Sequence, residues 1–229
     1  MLTLAIETSG ALGSIALFES HALLVDQTLE LGRQHGQSLL PAIGRLLADC
    51  GKHARDCNLI AVSVGPGSFT GLRVGVVCAK TLAYAVGCQI AAVDTLHAIA
   101  CNSPPEVTSV EVIADAQRGD LFVEKFIRLP GGDWNPHDDI QIVAADTWIA
   151  ALPSKGAVSG PGLEKFATLP VEVQRILAPE FRIPQAKSIA RLGIRAAEAG
   201  RASDLWSVEP LYLRRSSAEV QWEKLHPGR

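Results

Sequence analysis

The stretch from Leu59 to Gly87 reads LIAVSVGPGSFTGLRVGVVCAKTLAYAVG and leaves the chain few alternatives. LIAVSV is a short apolar run of strand type. GPGSFTG then places Gly65, Gly67 and Gly71 around Pro66, Ser68 and Thr70. From Thr70 to Val86 the residues have helix length, only Arg73 and Lys80 are charged, and Gly87 supplies the stop. The order is strand, glycine loop, helix. A loop of this kind can bring backbone N–H groups up to an anion at a helix N-terminus, or can simply be a tight turn. It has neither the G-K-S/T ending of a phosphate-binding P-loop nor the G-x-G-x-x-G spacing of a dinucleotide site.

On either side of this unit the periodicities are readable. LTLAIE at the start alternates Leu2, Leu4 and Ile6 with Thr3, Ala5 and Glu7, and SIALFE and ALLVDQTLEL follow as further strands. From Ser38 to Cys50, Leu39, Leu40, Ile43, Leu46 and Leu47 recur at helical spacing, with Pro41 expected in the first turn and Gly51 as the stop. CQIAAV reads as a strand, a short helix capped by Asp94 or Thr95 runs to Ala100, and NSPPEVT is the clearest linker. Beyond it, VEVIADAQRGDLFVEKFI is again a strand ending in an acidic residue, a turn with Gly119 and a returning strand. This echoes the opening, where Glu7 and Gly13 hold similar places. A strand near Ile140 to Val143 and a helix from Lys187 to Ala199 complete the reading. It divides the chain into an N-terminal lobe over 1–103, a smaller C-terminal lobe over 104–214 and a polar tail over 215–229.

A chain of 229 residues with 48 % hydrophobic content can bury one substantial core or two small lobes. The net charge of −3 supplies no global field for a polyanion, so tight unaided binding of nucleic acid is not expected. Five cysteines without a C-x-x-C pair read as reduced thiols. Lys80 and Gly87 interrupt the apolar stretch from Val74 to Val93, and no signal peptide precedes the first strand, so the expected location is the cytoplasm, with no membrane partner.

AIETS at the end of the first strand, GPGSFTGLRVG, VDTLHAIA and PLYLRR together resemble the bacterial TsaB family, also called YeaZ, over nearly the whole length. The resemblance implies an α/β, two-lobed actin and sugar-kinase-like (ribonuclease H-like) fold, with duplicated mixed sheets flanked by helices. It implies a non-catalytic subunit in the making of N6-threonylcarbamoyladenosine beside the anticodon of tRNAs that read codons beginning with A. Its partners would be the catalytic paralogue TsaD, the ATPase TsaE, tRNA indirectly, and a second copy of itself in isolation. Thr8, Ser9, Gly65, Pro66, Gly67, Ser68 and Thr70 would then be remnants of phosphate loops. No cofactor of its own is implied, beyond weak or shared ATP or ADP at a partner interface.

Two enzyme readings compete. A metallopeptidase of the type once assigned to relatives of the catalytic paralogue needs H-x-x-x-H on one helical face. In VDTLHAIA those positions are Thr95 and Ile99, and His97 lies two residues from each. His21, His35, His53, His137 and His226 form no such pair either. A small-molecule kinase needs an adenosine-binding glycine motif, for which SGPGLEKF lacks the glycine-glycine run, and Glu7 stands where the family often has aspartate.

Gly71, Gly75, Ala79 and Ala83, continuing to Gly87, form a stripe of small residues on the helix after the loop. The resemblance assigns the pairing surface to this helix and the preceding one, through Leu39, Leu40, Ile43, Leu46, Leu47, Gly71, Arg73, Gly75, Val76, Ala79, Lys80 and Ala83. Lys187, Arg191 and Arg195, followed by Arg201, give the late helix a basic face, solvated or turned to phosphates or an acidic partner.

Overall fold

The computed structural model describes residues 1–30, 35–152, 156–166, 168–169 and 176–214, together with Trp222. Strands β1 (Leu2–Glu7), β2 (Leu12–Glu19) and β3 (Ala22–Glu30) form an antiparallel meander. Helix α1 (His35–Asp49) returns the chain, and β4 (Leu59–Gly65) and β5 (Gln89–Asp94) add in parallel beside β1, joined by α2 (Phe69–Val86). The sheet order is β3-β2-β1-β4-β5. Helix α1 starts three residues before the predicted Ser38, so Pro41 lies inside the helix, on an exposed position, rather than in its first turn.

Helix α3 (Thr95–Ala100), capped by the Asp94 carboxylate on the His97 N–H at 2.8 Å, leads to the second sheet. There β6 (Ser109–Asp115) and β7 (Asp120–Arg128) form the second hairpin, β8 (Trp134–Pro136) and β9 (Gln141–Ala144) pair with β7, and β10 (Ala157–Ser159) lies parallel to β6. Helix α4 (Ala145–Ala150) follows β9, and α5 (Ala186–Glu198) closes the described helices. An antiparallel hairpin extended by a parallel strand therefore occurs twice, as β2-β1-β4 and as β7-β6-β10. This is the two-lobed mixed-sheet fold that the resemblance implies.

The first sheet is covered on both faces. Leu4, Ile6, Ile15, Leu17, Ile60 and Val62 meet α1 and α2, whereas Ala5, Ala16, Ala61 and Ala91 lie under α5. The alternation in LTLAIE is thus large against small rather than inside against outside, and Thr3, Ala5 and Glu7 have no exposed surface. Small residues on the second face let a helix approach closely: a Cβ on Gly193 of α5 would sit 2.6 Å from the Ala61 Cβ. Each large apolar side chain removed from water in these two layers contributes about 1.5–3 kcal/mol to stability.

Helix α5 overturns one boundary. The linker reading assigned 104–214 to the second lobe, yet α5 packs on β1, β2, β4 and β5 of the first sheet. The chain after it stays there too: the Ser203 N–H donates to the Ile90 carbonyl, and Leu205 and Val208 join the core beneath α2. Local periodicity identifies the helix but carries no information about which sheet it covers. The NSPPEVT linker is itself fastened, since Arg128 donates to the carbonyls of Ser103, Pro104 and Val107, each at 2.8 Å. The predicted tail over 215–229 lies outside the described residues apart from Trp222.

Candidate functional site

β1 and β4 are neighbours and end side by side, so the turn after Glu7 and the glycine loop after β4 meet at one end of the first sheet. They are joined to each other. The Ser68 N–H donates to the Ser9 carbonyl at 2.7 Å, and the Thr8 hydroxyl donates to the Gly71 carbonyl at 2.8 Å. Ser68 also caps α2, its hydroxyl accepting from the Gly71 N–H at 3.2 Å. Among the predicted loop residues Thr8, Ser9, Gly65 and Pro66 are buried, whereas Gly67, Ser68 and Thr70 are exposed. The Gly65–Pro66 peptide is cis.

Close approach explains the glycines. A Cβ on Gly67 would stand 2.6 Å from the Ser9 carbonyl oxygen, one on Gly71 would overlap the Thr8 carbonyl, and one on Gly75 would overlap the Thr8 hydroxyl. Two of the hydrogen-bonding groups that a phosphate cradle would present, the Ser68 and Gly71 N–H groups, are thus already committed within the chain. Glu7 is fully buried. One carboxylate oxygen accepts from both the Ser9 N–H and the Ser9 hydroxyl, each at 2.5 Å, while the other has no hydrogen-bond partner within 3.5 Å among the described residues. Burial pushes the Glu7 carboxyl above its ordinary range against the opposing hydrogen bonds of Ser9. The residue ties the first turn to the strand.

The second-lobe candidate SGPGLEKF folds as the end of β10 followed by a 3-10 turn over Pro161–Lys165. Its glycines press on the β6 backbone: a Cβ on Gly160 would overlap the Ile113 carbonyl, and one on Gly162 would lie 3.0 Å from the Ile113 carbonyl carbon.

Thr95 and Ile99, at the positions where the peptidase reading needs histidines, are buried in α3. His97 donates through Nε2 to the Trp134 carbonyl at 2.9 Å and stacks on Phe126, and burial lowers its pKa. Among the described residues no group of three or more His, Cys, Asp or Glu side chains could hold a metal ion. One buried acid that sequence reasoning missed is Glu124 of β7, on the face that meets α3. Its carboxyl is pushed up to about 8, first by burial and then by Asp94 and Asp139. Only its place between Phe122 and Phe126 in an alternating strand hints at burial.

The small stripe of α2 faces inward, which corrects its assignment as a pairing surface. Gly71, Gly75, Val76, Ala79 and Ala83 are buried, and Leu39, Ile43, Leu46 and Leu47 of α1 belong to the same core. Small side chains sit where α2 comes nearest to the Thr8 turn and the sheet, so they serve packing within the chain. Leu40 and Arg73 remain exposed. Lys80, half-buried, donates to the carbonyls of Trp206 at 3.1 Å and Val208 at 2.8 Å.

What α2 turns outward is a surface absent from the sequence reading. Val77 is 63 % exposed, Tyr84 68 %, and Phe69 38 %, and the returning chain adds Trp206 at 73 % and Tyr212 at 45 %. Phe69 and Tyr212 pack with ring centres 5.0 Å apart, Tyr84 and Trp206 with centres 5.7 Å apart. Arg73 lies 3.9 Å over Phe69 and donates to the Tyr212 hydroxyl at 2.8 Å. Exposed aromatics concentrated on one face are the pattern that interaction surfaces commonly show. The spacing of Phe69, Val77 and Tyr84 along the helix was the available signal. The basic face of α5 is partly neutralised: Arg195 pairs with Asp133, and Lys187 lies 4.0 Å from Asp26.

Comparison with known proteins agrees with this architecture. The family model for TsaD, tRNA N6-adenosine threonylcarbamoyltransferase, matches residues 29–133, which contain the glycine loop and α2. The tRNA threonylcarbamoyladenosine biosynthesis protein TsaB of Bacillus subtilis is 30 % identical, the match covering 97 % of this chain and 98 % of that protein. TsaB of Escherichia coli is 28 % identical over 100 % of both chains. The solved structure of YeaZ from Pseudomonas aeruginosa superposes with a TM-score of 0.79 at 25 % identity, covering 93 % of this chain and 99 % of that one. The chain belongs to the TsaB family, whose members in those two bacteria are named tRNA threonylcarbamoyladenosine biosynthesis proteins.

Proposed function

We propose that this chain acts in tRNA threonylcarbamoyladenosine biosynthesis as a non-catalytic dimerization subunit. In this reading it binds and supports the catalytic paralogue TsaD while that enzyme transfers threonylcarbamoyl to N6 of the adenosine next to the anticodon, on tRNAs that read codons beginning with A. The observation that carries the reading is the closure of the two loops on each other: the Ser68 N–H goes to the Ser9 carbonyl, and the Thr8 hydroxyl to the Gly71 carbonyl. A loop whose donors hold its own fold together has lost the preorganised anion contacts that phosphate chemistry needs. The chain therefore contributes a surface rather than a reaction.

That surface is the outward face of α2 with Phe69, Arg73, Val77 and Tyr84, bordered by Trp206 and Tyr212, and it replaces the inward stripe as the pairing site. Aromatic residues and arginine are the side chains that dominate binding energy in protein interfaces. In isolation a second copy of the chain occupies the same face. TsaE and tRNA join through the assembled complex, in the cytoplasm, and any ATP or ADP is shared at the partner interface. With a net charge of −3 the chain alone holds tRNA weakly.

Reconstituted threonylcarbamoyl transfer, run with TsaD, TsaE and tRNA with and without this chain, tests the reading. Transfer is expected only when the chain is present, and the chain without TsaD is expected to give none. Full transfer in its absence, or transfer by the chain alone, would refute the proposal.

A further inference from the structure

PLYLRR near the end of the sequence belongs to a segment that runs from one lobe to the other, and each part of it is held by a different element. Beside β5 the Ala92 N–H donates to the Ser203 hydroxyl at 3.0 Å. Along α2, Lys80 holds the carbonyls of Trp206 and Val208, and Val208 is buried in the first core. At the glycine loop the Leu211 N–H donates to the Val64 carbonyl at 2.7 Å, and Tyr212 packs on the Phe69 ring while its hydroxyl accepts from Arg73. Then the segment changes lobes. Leu213 packs on the core of the second sheet, and Arg214 donates to the carbonyls of Ala116 at 3.0 Å and Gln117 at 3.1 Å and pairs with Asp120.

The far end grips an unusual turn. Between β6 and β7 the residues Gln117 (φ 65°), Arg118 (φ 57°) and Gly119 (φ 86°) are all left-handed, and two of them are not glycine. Such residues are strained and persist only where their surroundings hold them. The holders include the Asp115 carboxylate, which accepts from the Gln117 N–H at 2.5 Å and pairs with Lys165, the Ala145 N–H, which donates to the Gly119 carbonyl at 2.9 Å, the Asp120 N–H, which donates to the Gln117 carbonyl at 3.0 Å, and the Arg214 guanidinium. Arg214 is the holder that comes from the crossing segment.

We propose that residues 203–214 form a tie that couples the aromatic face of α2 to the β6–β7 turn, so that loosening the segment at one lobe loosens the turn on the other. Tyr212 is the near anchor and Arg214 the far pin, separated by a single residue. Two residues of an extended chain reach about 7 Å, too short to absorb a shift at one end without passing it on. Whatever displaces or clamps Tyr212 on the α2 face is therefore felt at Gln117 and Arg118. This coupling is a property of the chain by itself and does not depend on which partner covers the face.

Amide hydrogen exchange on the full chain tests it, comparing the wild type with Tyr212→Ala, Arg214→Ala and, as a control on the same face of α2, Val77→Ala. Tyr212→Ala is expected to speed exchange of the Ala116 and Asp120 amides on the other lobe by about tenfold or more, as expected for the loss of a charge-assisted contact. Arg214→Ala is expected to do the same there and also to expose the Leu211 amide, whereas Val77→Ala leaves all three at wild-type rates. If Tyr212→Ala changes only the segment and α2, or if Arg214→Ala leaves Leu211 as protected as in the wild type, the tie does not exist. Should Arg214→Ala not yield folded protein, Asp120→Asn weakens the same pair from the other side and is read by the same criteria.

Discussion

Replacing Gly71 by alanine separates the packing account of the glycine loop from a turn account. In an ordinary helix interior the change is favourable by about 1 kcal/mol, because alanine loses less backbone entropy. At Gly71 the added Cβ would overlap the Thr8 carbonyl oxygen and also stand 3.2 Å from the Thr8 carbonyl carbon and 3.3 Å from the Ser68 Cβ. The obstacle is backbone on a buried turn, so α2 or the turn must move. Overpacking of this kind costs about 1–3 kcal/mol. Displacing the buried Thr8 hydroxyl from the Gly71 carbonyl removes a 2.8 Å hydrogen bond and adds about 1 kcal/mol or more. The net is a loss of about 2 kcal/mol, or roughly 4–8 °C in melting temperature for a chain of this size. Gly44, exposed in α1 with none of the described residues within 4 Å of a Cβ, provides the internal reference, and Gly44→Ala should raise stability by about 1 kcal/mol. Urea unfolding and thermal melts of the two variants, measured together, decide the matter. If Gly71→Ala is as stable as the wild type or gains like Gly44→Ala, the loops are not locked by close approach and the reasoning fails.

Ala83→Arg puts a charge into the core under α2 and should unfold the chain or cost more than about 3 kcal/mol, read by the same melts. Tyr84→Ala, on the outer face, should instead melt within a few degrees of the wild type while weakening association with TsaD by roughly tenfold or more in calorimetry; unchanged affinity would remove this face from the interface. Glu124 bears on pH. Its carboxyl titrates near 8 in the fold against an ordinary 4.5, so the folded state binds the extra proton, and stability falls as pH rises from about 4.5 until it levels off above about 8. Glu124→Gln should abolish that part of the decline and gain up to about 3 kcal/mol at pH 7, whereas parallel pH profiles for variant and wild type would show that Glu124 ionises freely.

The local code was largely legible. Apolar runs marked most of the strands, Gly87 and Gly200 end α2 and α5 in left-handed conformation, and Asp94 caps α3 as its position suggested. These features depend on neighbours within a few residues, which periodicity and capping rules report. Helix α1 begins before its apolar spacing predicts, because Pro41 looks like a first-turn residue when only that spacing is counted.

Most errors of the site reading lay one level higher. The Gly71–Ala83 stripe signals that something comes close to α2, and sequence alone cannot distinguish a partner helix from the Thr8 turn of the same chain. The direction was set by the pairing of β1 with β4, which brings two loops more than fifty residues apart into one hydrogen-bonded pair. The same holds for α5, whose amphipathic pattern is indifferent to which sheet it covers, and for PLYLRR, whose anchors lie at Val64 and at Ala116 to Asp120. Order along the chain determined the elements, their caps and the family they resemble. Which face of each element is inside, and so which residues remain free to meet a partner, was decided only by long-range contacts, whose energies depend on the distances that folding creates.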